Sequence, residues 1–169
     1  MASADRITAA AVLVPLVARQ EGVTVLLTRR TEHLHRHAGQ ISFPGGRIET
    51  SDTSPEAAAL RETEEEIGLG RRHIELLGRL DLYRTRTGFE VTPVVGWVTP
   101  PFELAPDRFE VAEVFEVPLD FVVDRRNHER HSREWQGITR HFYVLPYGGY
   151  YIWGATAGML VNLAERLAS

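Results

Sequence analysis

The segment from Ser54 to Leu69 most constrains the fold, because it predicts one amphipathic helix with both ends defined. Its first serine is a favoured N-cap residue, a proline follows at the first helical position, and Gly68 is suited to end the helix. A helix is therefore predicted over Pro55–Ile67. At 100° per residue, one arc of this helix can face a hydrophobic core. The residues of that arc are Leu60, Thr63 and Ile67.

A different arc of the same helix carries Glu62, Glu65 and Glu66. Like charges at these spacings destabilise an isolated helix by roughly 0.2–0.5 kcal/mol per pair, so a compensating partner is expected. Mg²⁺ or Mn²⁺ would compensate, because both prefer carboxylate oxygen and leave positions open for water and phosphates. The alternative is a solvated acidic face on which Arg61 pairs with Glu65. From the helix alone, both interpretations are open.

Composition narrows the chemistry that this helix can serve. All 19 basic residues are arginine, and there is no cysteine. The absence of lysine excludes Schiff-base chemistry, a lysine general base and a Walker-type phosphate loop. The absence of cysteine excludes thiol nucleophiles, disulfides and cysteine-ligated metals. The net charge of -4 lacks the basic excess of a general nucleic-acid or membrane-surface binder, so we expect neither partner.

The remaining sequence predicts a single domain over 1–169. The apolar run Ala9–Ala18 contains Pro15 and is shorter than the ~20 residues of a membrane span, so we expect a buried strand and a cytoplasmic protein. A second helix is predicted over Tyr151–Leu167 from an apolar stripe at helical spacing. Predicted strands, rich in β-branched and aromatic residues, are Ile7–Val17, Val23–Thr28, Ile74–Tyr83, Glu90–Val98, Val111–Val117 and Ile138–Leu145. Strands covered by two helices indicate an α+β fold or a three-layer sandwich.

A glycine-rich loop, Phe43-Pro44-Gly45-Gly46, precedes the acidic helix. Adjacent glycines allow a backbone to approach a ligand closely, and a carbonyl from such a loop is a good ligand for a hard metal. A bare Gly-Gly pair is equally compatible with a simple turn. Its position before Arg61-Glu62-x-x-Glu65-Glu66 favours the metal-site interpretation.

From Gly46 to Leu69 the chain resembles the Nudix hydrolases, whose box reads G-x5-E-x7-R-E-U-x-E-E-x-G-U, with U a bulky apolar residue. There are three departures from this box. The interval from Gly46 to Arg61 is one residue longer, Asp52 stands at the position of the isolated Glu, and Thr63 replaces an apolar residue. The residues in register are Gly46, Arg61, Glu62, Glu65, Glu66, Gly68 and Leu69.

The resemblance implies an α/β/α sandwich with a mixed β-sheet, a catalytic helix after the Gly-Gly loop, and a C-terminal helix. It implies a pyrophosphatase in which Mg²⁺ or Mn²⁺ activates water for attack on a nucleoside diphosphate linked to another group. Arg61 would orient Glu62 or Glu65, and Glu62 is also a candidate general base. The implied metal ligands are Glu62, Glu65, Glu66 and the carbonyl of Gly46.

The segment before the box resembles the coenzyme A pyrophosphatase branch of that family, with the signature L-L-T-x-R-S/A-x3-R-x3-G-x3-F-P-G-G. The chain departs from it at Thr31 and at His35. The run Tyr151–Gly158 also resembles this branch, so the likeness extends from about Ile7 to the last predicted helix. It implies cleavage of coenzyme A or acyl-CoA to 4′-phosphopantetheine, or its acyl form, and adenosine 3′,5′-bisphosphate, by a homodimer. Matching residues are Leu26, Leu27, Thr28, Arg30, Gly39 and Phe43 to Gly46.

Arginines near the glycine-rich loop are candidates to hold the 3′-phosphate of such a substrate with their guanidinium forks. Alternatively, they balance the glutamates or point to solvent. Three alternating histidines raise a zinc hypothesis, which the nearby hard oxygen ligands disfavour. The expected substrate-binding residues are Arg30, Arg36, Arg47 and Phe43, with Arg29 a further arginine of the group. The histidines are His33, His35 and His37.

A second acidic stretch contains Glu110, a candidate for an additional metal ligand or base, because Nudix hydrolases often supply one from this region. A solvated loop carboxylate is the alternative. The stretch comprises Glu103, Asp107, Glu110, Glu113 and Glu116. Side chains near the C-terminal turn are either core or substrate-facing, and they are His141, Tyr143, Tyr150, Tyr151 and Trp153.

Two other functions are open. One is a Nudix pyrophosphatase for ADP-ribose, dinucleotides or oxidised nucleotides. The other is a Nudix-fold binding module without turnover. The retention of Glu62, Glu65 and Glu66 argues against the second, because a protein without catalysis has no need for three clustered like charges.

Overall fold

The main sheet is organised around one long strand, β1 (Thr8–Arg19), in a computed structural model that describes residues 6–32 and 39–169. One edge of β1 pairs in parallel with β7 (Phe89–Val98). The other edge is shared by two antiparallel strands, β4 (Gly45–Arg47) and then β2 (Gly22–Arg30). Pro15 lies between these two partners, where a residue without an N–H is tolerated. The sheet therefore forks beside the glycine-rich loop.

The other elements complete two sheets and three helices. In the main sheet, β3 (Ile41–Ser42) and β8 (Val111–Pro118) pair with β2, while β5 (Ile74–Arg79) and β6 (Tyr83–Arg84) pair with β7. A separate antiparallel sheet has the order β11 (Tyr150–Trp153), β10 (Ile138–Tyr147), β9 (Glu129–Trp135). The helices are α1 (Pro55–Ile67), α2 (Leu119–Val123) and α3 (Gly154–Ala168). Over the described ranges, no helix combines the length and apolar character needed to cross a membrane.

Helices cover both faces of the main sheet at its central strand β1. On one face, Leu13 of β1 packs with Ala58 and Ala59 of α1. On the other face, Val14 belongs to a cluster that includes Leu160 of α3. The arrangement of helix, mixed sheet and helix confirms the predicted sandwich.

The ends of α1 lie where the sequence predicts them. The Ser54 hydroxyl accepts a hydrogen bond from the Ala57 N–H at 3.0 Å. Gly68 adopts φ 73°, a left-handed conformation that glycine allows at low cost, and its N–H donates to the Glu64 carbonyl. Thr63 is fully buried, and its hydroxyl donates to the Ala59 carbonyl at 2.7 Å. This bond explains how a polar residue occupies an apolar position of the box.

The prediction for the C-terminal helix is wrong at its start. Tyr150–Trp153 forms β11, which pairs with β10, and α3 begins only at Gly154. Aromatic and β-branched side chains favour a strand where a partner strand is present. The predicted strand Ile74–Tyr83 is divided into β5 and β6. The sequence analysis missed β9, β11, α2 and the two short strands β3 and β4.

Candidate active site

The glycine-rich loop lies directly against the acidic face of α1, because β4 pairs with β1 at the fork of the sheet. A Cβ atom added to Gly46 would lie 2.6 Å from Oε2 of Glu62 and 2.7 Å from its Cδ. A Cβ on Gly45 would overlap the Ala11 carbonyl oxygen. Position 45 therefore requires glycine, whereas a side chain at position 46 would displace the carboxylate of Glu62. The Gly46 backbone is thus adjacent to a helix carboxylate.

Glu66 is buried beneath this loop. Its side chain accepts a hydrogen bond from the Gly45 N–H at 2.9 Å, and the residue is 6% exposed. Burial raises the pKa of Glu66 to about 8, with further increases from the charges of Glu62 and Glu110 that the Gly45 bond and Arg30 partly oppose. Burial also raises the pKa of Glu62, and the neighbouring Arg61 opposes that rise. For both carboxyl groups, the nearby positive charges and hydrogen bonds are therefore too few to offset the effect of burial.

Arg61 is held by an ion pair with Asp52. Its Nε and Nη2 atoms donate to the two carboxylate oxygens of Asp52, each at 2.9 Å. The side chain of Asp52 is 5% exposed and also accepts from the Glu49 N–H at 2.8 Å. Arg61, followed by this backbone bond, lowers the pKa of Asp52 to about 2. The spacing of the box does not predict this pair, although the place of Asp52 at the isolated Glu position is a signal for a partner of Arg61.

The remaining donors of Arg61 connect it to the rest of the acidic face. Nη1 donates to Glu62 at 3.2 Å and to Glu65 at 3.3 Å, while Nη2 donates to the Arg47 carbonyl at 3.3 Å. The orienting role expected for Arg61 is thus compatible with contacts to both carboxylates. The side chain of Glu65 is 60% exposed, in contrast to that of Glu66.

The loop between β7 and β8 brings Glu110 toward the same face. The N–H of Asp107 donates to the Glu66 carbonyl at 2.8 Å, which docks the loop on the end of α1. Thr31 binds the loop from the other side, because its N–H donates to the Glu110 carbonyl at 3.0 Å and its hydroxyl donates to the Phe109 carbonyl at 2.7 Å. At this position the branch signature has serine or alanine, and the hydroxyl that threonine shares with serine makes one of these two bonds.

Among the predicted phosphate-binding residues, Arg30 acts electrostatically on Glu66, because its positive charge lowers the pKa of that carboxyl group. The Nε atom of Arg30 is buried and has no hydrogen-bond partner in the described part of the chain. Arg47 is exposed, with its guanidinium 5.8 Å from the Phe89 ring centroid. Arg29 instead pairs with Glu113 at 3.3 Å. Arg36 and the three histidines His33, His35 and His37 lie outside the described residues.

The structure places Phe43 in the core rather than on a ligand-facing surface. The residue is 4% exposed and packs in the cluster that contains Leu27 and Ile41. The expectation of a direct substrate contact is therefore corrected to a supporting position beneath the loop.

The residues near the C-terminal turn have different surroundings. Tyr150 is half-buried, stacks on Phe115 with ring centroids 3.7 Å apart, and donates its hydroxyl to Glu113. Tyr143 is half-buried, while Tyr151 and Trp153 are exposed. His141 is also exposed.

The oxygen atoms of the glutamates on α1 and of the glycine-rich loop fit a hard divalent cation. Carboxylate and carbonyl oxygens are the ligands that Mg²⁺ and Mn²⁺ prefer, and the raised pKa of Glu66 marks a place where added positive charge would be favourable. In residues 6–32 and 39–169, no three acidic or histidine side chains form a ready-made metal cluster. In this structure Glu62 and the exposed Glu65 accept hydrogen bonds from Arg61, and Glu66 accepts one from the Gly45 N–H.

Comparisons with known proteins show which family this chain resembles. A family model described as the NUDIX domain matches residues 7–138. A relative named Uncharacterized Nudix hydrolase NudL, from Enterobacter sp. (strain 638), is 40% identical over 158 residues, which are 94% of this chain and 82% of the relative. The crystal structure of the Nudix hydrolase RenU from M. smegmatis superposes with a TM-score of 0.57 at 27% identity, covering 69% of this chain and 74% of that one. The NUDIX domain of Shewanella oneidensis NrtR, solved with ADP ribose, has a TM-score of 0.52 at 24% identity, covering 69% and 76% of the two chains.

Replacing Asp52 by Asn should lower kcat/KM by about 10- to 100-fold, because Arg61 loses the carboxylate that fixes it beside Glu62. The matched control is Asp124→Asn. That residue makes a similar two-bond pair with Arg126, at 3.0 and 2.8 Å, on the surface. Steady-state kinetics of both variants make the comparison. Equal activity of the two variants would show that the Arg61 pair does not support the site.

The stability of the metal-free protein should depend on the protonation of Glu66. Its pKa is about 8 in the folded chain and 4.5 ordinarily, so the folded state holds the extra proton between these values. This contribution to stability is complete below pH 4.5 and is lost as the pH rises to 8. In EDTA, the free energy of unfolding should therefore fall more between pH 5 and pH 8 for the wild type than for Glu66→Gln. Parallel pH profiles from urea titrations would contradict this expectation.

Proposed function

The chain belongs to the Nudix family and is a Nudix hydrolase, and from that premise we propose that it is a coenzyme A diphosphatase. The proposed reaction adds water across the pyrophosphate of coenzyme A or acyl-CoA. Its products are 4′-phosphopantetheine, or the acyl form, and adenosine 3′,5′-bisphosphate. A pyrophosphatase for ADP-ribose, a dinucleotide or an oxidised nucleotide is the alternative that the substrate test must separate.

One observation carries the proposal: the segment that resembles the coenzyme A branch leads into the acidic site at both of its described ends. At one end, Arg30 acts electrostatically on Glu66, and Thr31 anchors the loop that carries Glu110. At the other end, Phe43 supports the loop whose Gly45 binds Glu66. Residues of the signature therefore act on, or support, parts of the acidic site.

We assign the cation to Glu62, Glu65, Glu66 and the Gly46 carbonyl, with Glu110 as an additional ligand or base. When bound, Mg²⁺ or Mn²⁺ supplies charge neutralisation for the pyrophosphate and makes water a better nucleophile. Glu62 is the proposed general base. Its raised pKa moves it toward the range in which a carboxylate accepts a proton effectively.

Arginine provides substrate recognition in this proposal. Arg30 has a buried Nε without a hydrogen-bond partner among the described residues, and Arg47 is exposed beside the loop. Both are assigned to the substrate phosphates, with Arg36 as a third contact. We also propose that the chain is a single domain, is cytoplasmic and forms a homodimer, the last of which light scattering of the purified protein tests.

Glu65→Gln should abolish hydrolysis while the fold is retained, because the amide has nearly the same shape but cannot replace the charge. Glu64→Gln is the matched control, since it changes the neighbouring residue, which lies outside the acidic arc of α1. Product formation with Mn²⁺ measures activity, and circular dichroism checks the fold. Full turnover by Glu65→Gln would remove Glu65 from the site.

Purified protein with Mg²⁺ or Mn²⁺ should convert coenzyme A to the two stated products, identified by mass. It should act less efficiently on dephospho-coenzyme A, which lacks the 3′-phosphate. Arg47→Gln should lower kcat/KM for coenzyme A more than for dephospho-coenzyme A. Arg29→Gln is the control, because Arg29 is already paired with Glu113.

Intact coenzyme A in a reaction that consumes ADP-ribose would overturn the substrate assignment and leave the Nudix hydrolase assignment in place. Equal losses on both coenzyme A substrates in Arg47→Gln would remove Arg47 from recognition of the 3′-phosphate.

A further inference from the structure

A two-stranded arm extends from the second sheet. It consists of β9 and the outer part of β10, residues 138–141, and every residue of these two segments is exposed. The two strands pair without interruption from Glu129↔Val144 to Trp135↔Ile138. Gln136 and Gly137 connect them with φ of 52° and 77°, the left-handed pair typical of a tight hairpin turn.

No other element in the described residues packs over the two strands of the arm, although a hairpin normally needs such packing to be stable. An isolated two-stranded hairpin is marginally stable in water at best. The base of this one is anchored by Val144 and Leu145, which are fully buried. At the tip, Trp135 and Ile138 lie opposite each other and are 54% and 55% exposed. A partner that extends the arm would supply the missing cover.

The outer edge of β9 is suited to pair with another strand. It is the terminal strand of its sheet in the described part of the chain, and its register with β10 is regular along all seven residues. The exposed strand β5 at the end of the main sheet differs, because its register shifts between Leu76 and Gly78. Such bulges protect an edge from further pairing. Of these two edges, β9 is therefore the better template.

We propose that β9 pairs in antiparallel fashion with β9 of a second copy of this chain, with Ser132 on the two-fold axis. A symmetric register centred on Ser132 uses all seven residues of the strand. It places Arg130 of each copy opposite Glu134 of the other, which gives two pairs of opposite charge on one face of the joined sheet. The two three-stranded sheets become one of six strands.

The charge pattern disfavours one of the two neighbouring registers. Centring the pair on Arg133 instead would place two arginines opposite each other at the axis, which is unfavourable. In the proposed register, Ser132 is the residue opposite itself, and a serine hydroxyl tolerates such a neighbour. This inference rests on the proposed homodimer and names its interface; it does not depend on the substrate.

The chain lacks cysteine, so one introduced thiol reports the interface directly. Ser132→Cys should form a disulfide-linked dimer under mild oxidation, because residues directly opposite in an antiparallel pair have Cα atoms about 4.5–5.5 Å apart, a separation that a disulfide can span. Glu75→Cys places the thiol on the exposed strand β5 and should remain mostly monomeric on denaturing gels. Rapid cross-linking of Glu75→Cys without that of Ser132→Cys would overturn the assignment.

Charge reversal tests the register without any thiol. Glu134→Arg puts arginines opposite each other twice and should weaken dimerisation by about tenfold or more, measured by sedimentation equilibrium. The double variant Arg130→Glu/Glu134→Arg restores opposite charges and should recover the wild-type dissociation constant. A wild-type monomer at all concentrations would refute both the homodimer and the interface. A dimer indifferent to both charge variants and to Ser132→Cys would refute the interface alone.

Discussion

Burial of neighbouring like-charged carboxylates on one face of α1 is the constraint on which the rest of the site depends. Glu66 is buried beside Glu62 and near Glu110, and its burial, followed by the charges of these two neighbours, raises its pKa to about 8. The chain offsets the repulsion only partly, through the Gly45 N–H and the charges of Arg61 and Arg30. A site whose carboxylates still lack positive charge favours a cation, and a bound cation in turn favours phosphate.

Several features of the fold bring these carboxylates and the glycine-rich loop together. The sheet forks at Pro15, so that a short glycine strand can pair with β1 and still touch the helix carboxylates. The caps at Ser54 and Gly68 set the ends of α1, and the packing of Ala58 and Ala59 against the sheet sets which face its glutamates present. The loop carrying Glu110 docks on carbonyls at the end of the same helix. In the proposed function, an acidic, lysine-free chain accommodates a polyanion because its carboxylates are gathered where we assign a cation.

The sequence predicted the parts of the structure that local chemistry determines. Helix α1 was predicted at both ends, because its caps and its apolar arc lie within the helix and its flanking residues. Strand β11 was predicted as helix, since pairing with β10 decides its conformation. The clamp of Arg61 by Asp52 was missed, because loop geometry brings together residues whose spacing has no regular period. Phe43 was expected to contact substrate, but it points into the core.

Calorimetric titration of Mn²⁺ into the protein at pH 7, in two buffers of different ionisation enthalpy, tests the central claim most directly. If a cation supplies the charge that the buried carboxylates lack, its binding must displace the proton that Glu66 holds at this pH. The account predicts that Mn²⁺ binds with proton release, and that the release is largely lost in Glu66→Gln. Absence of Mn²⁺ binding, or binding with the same proton release in both proteins, would contradict it.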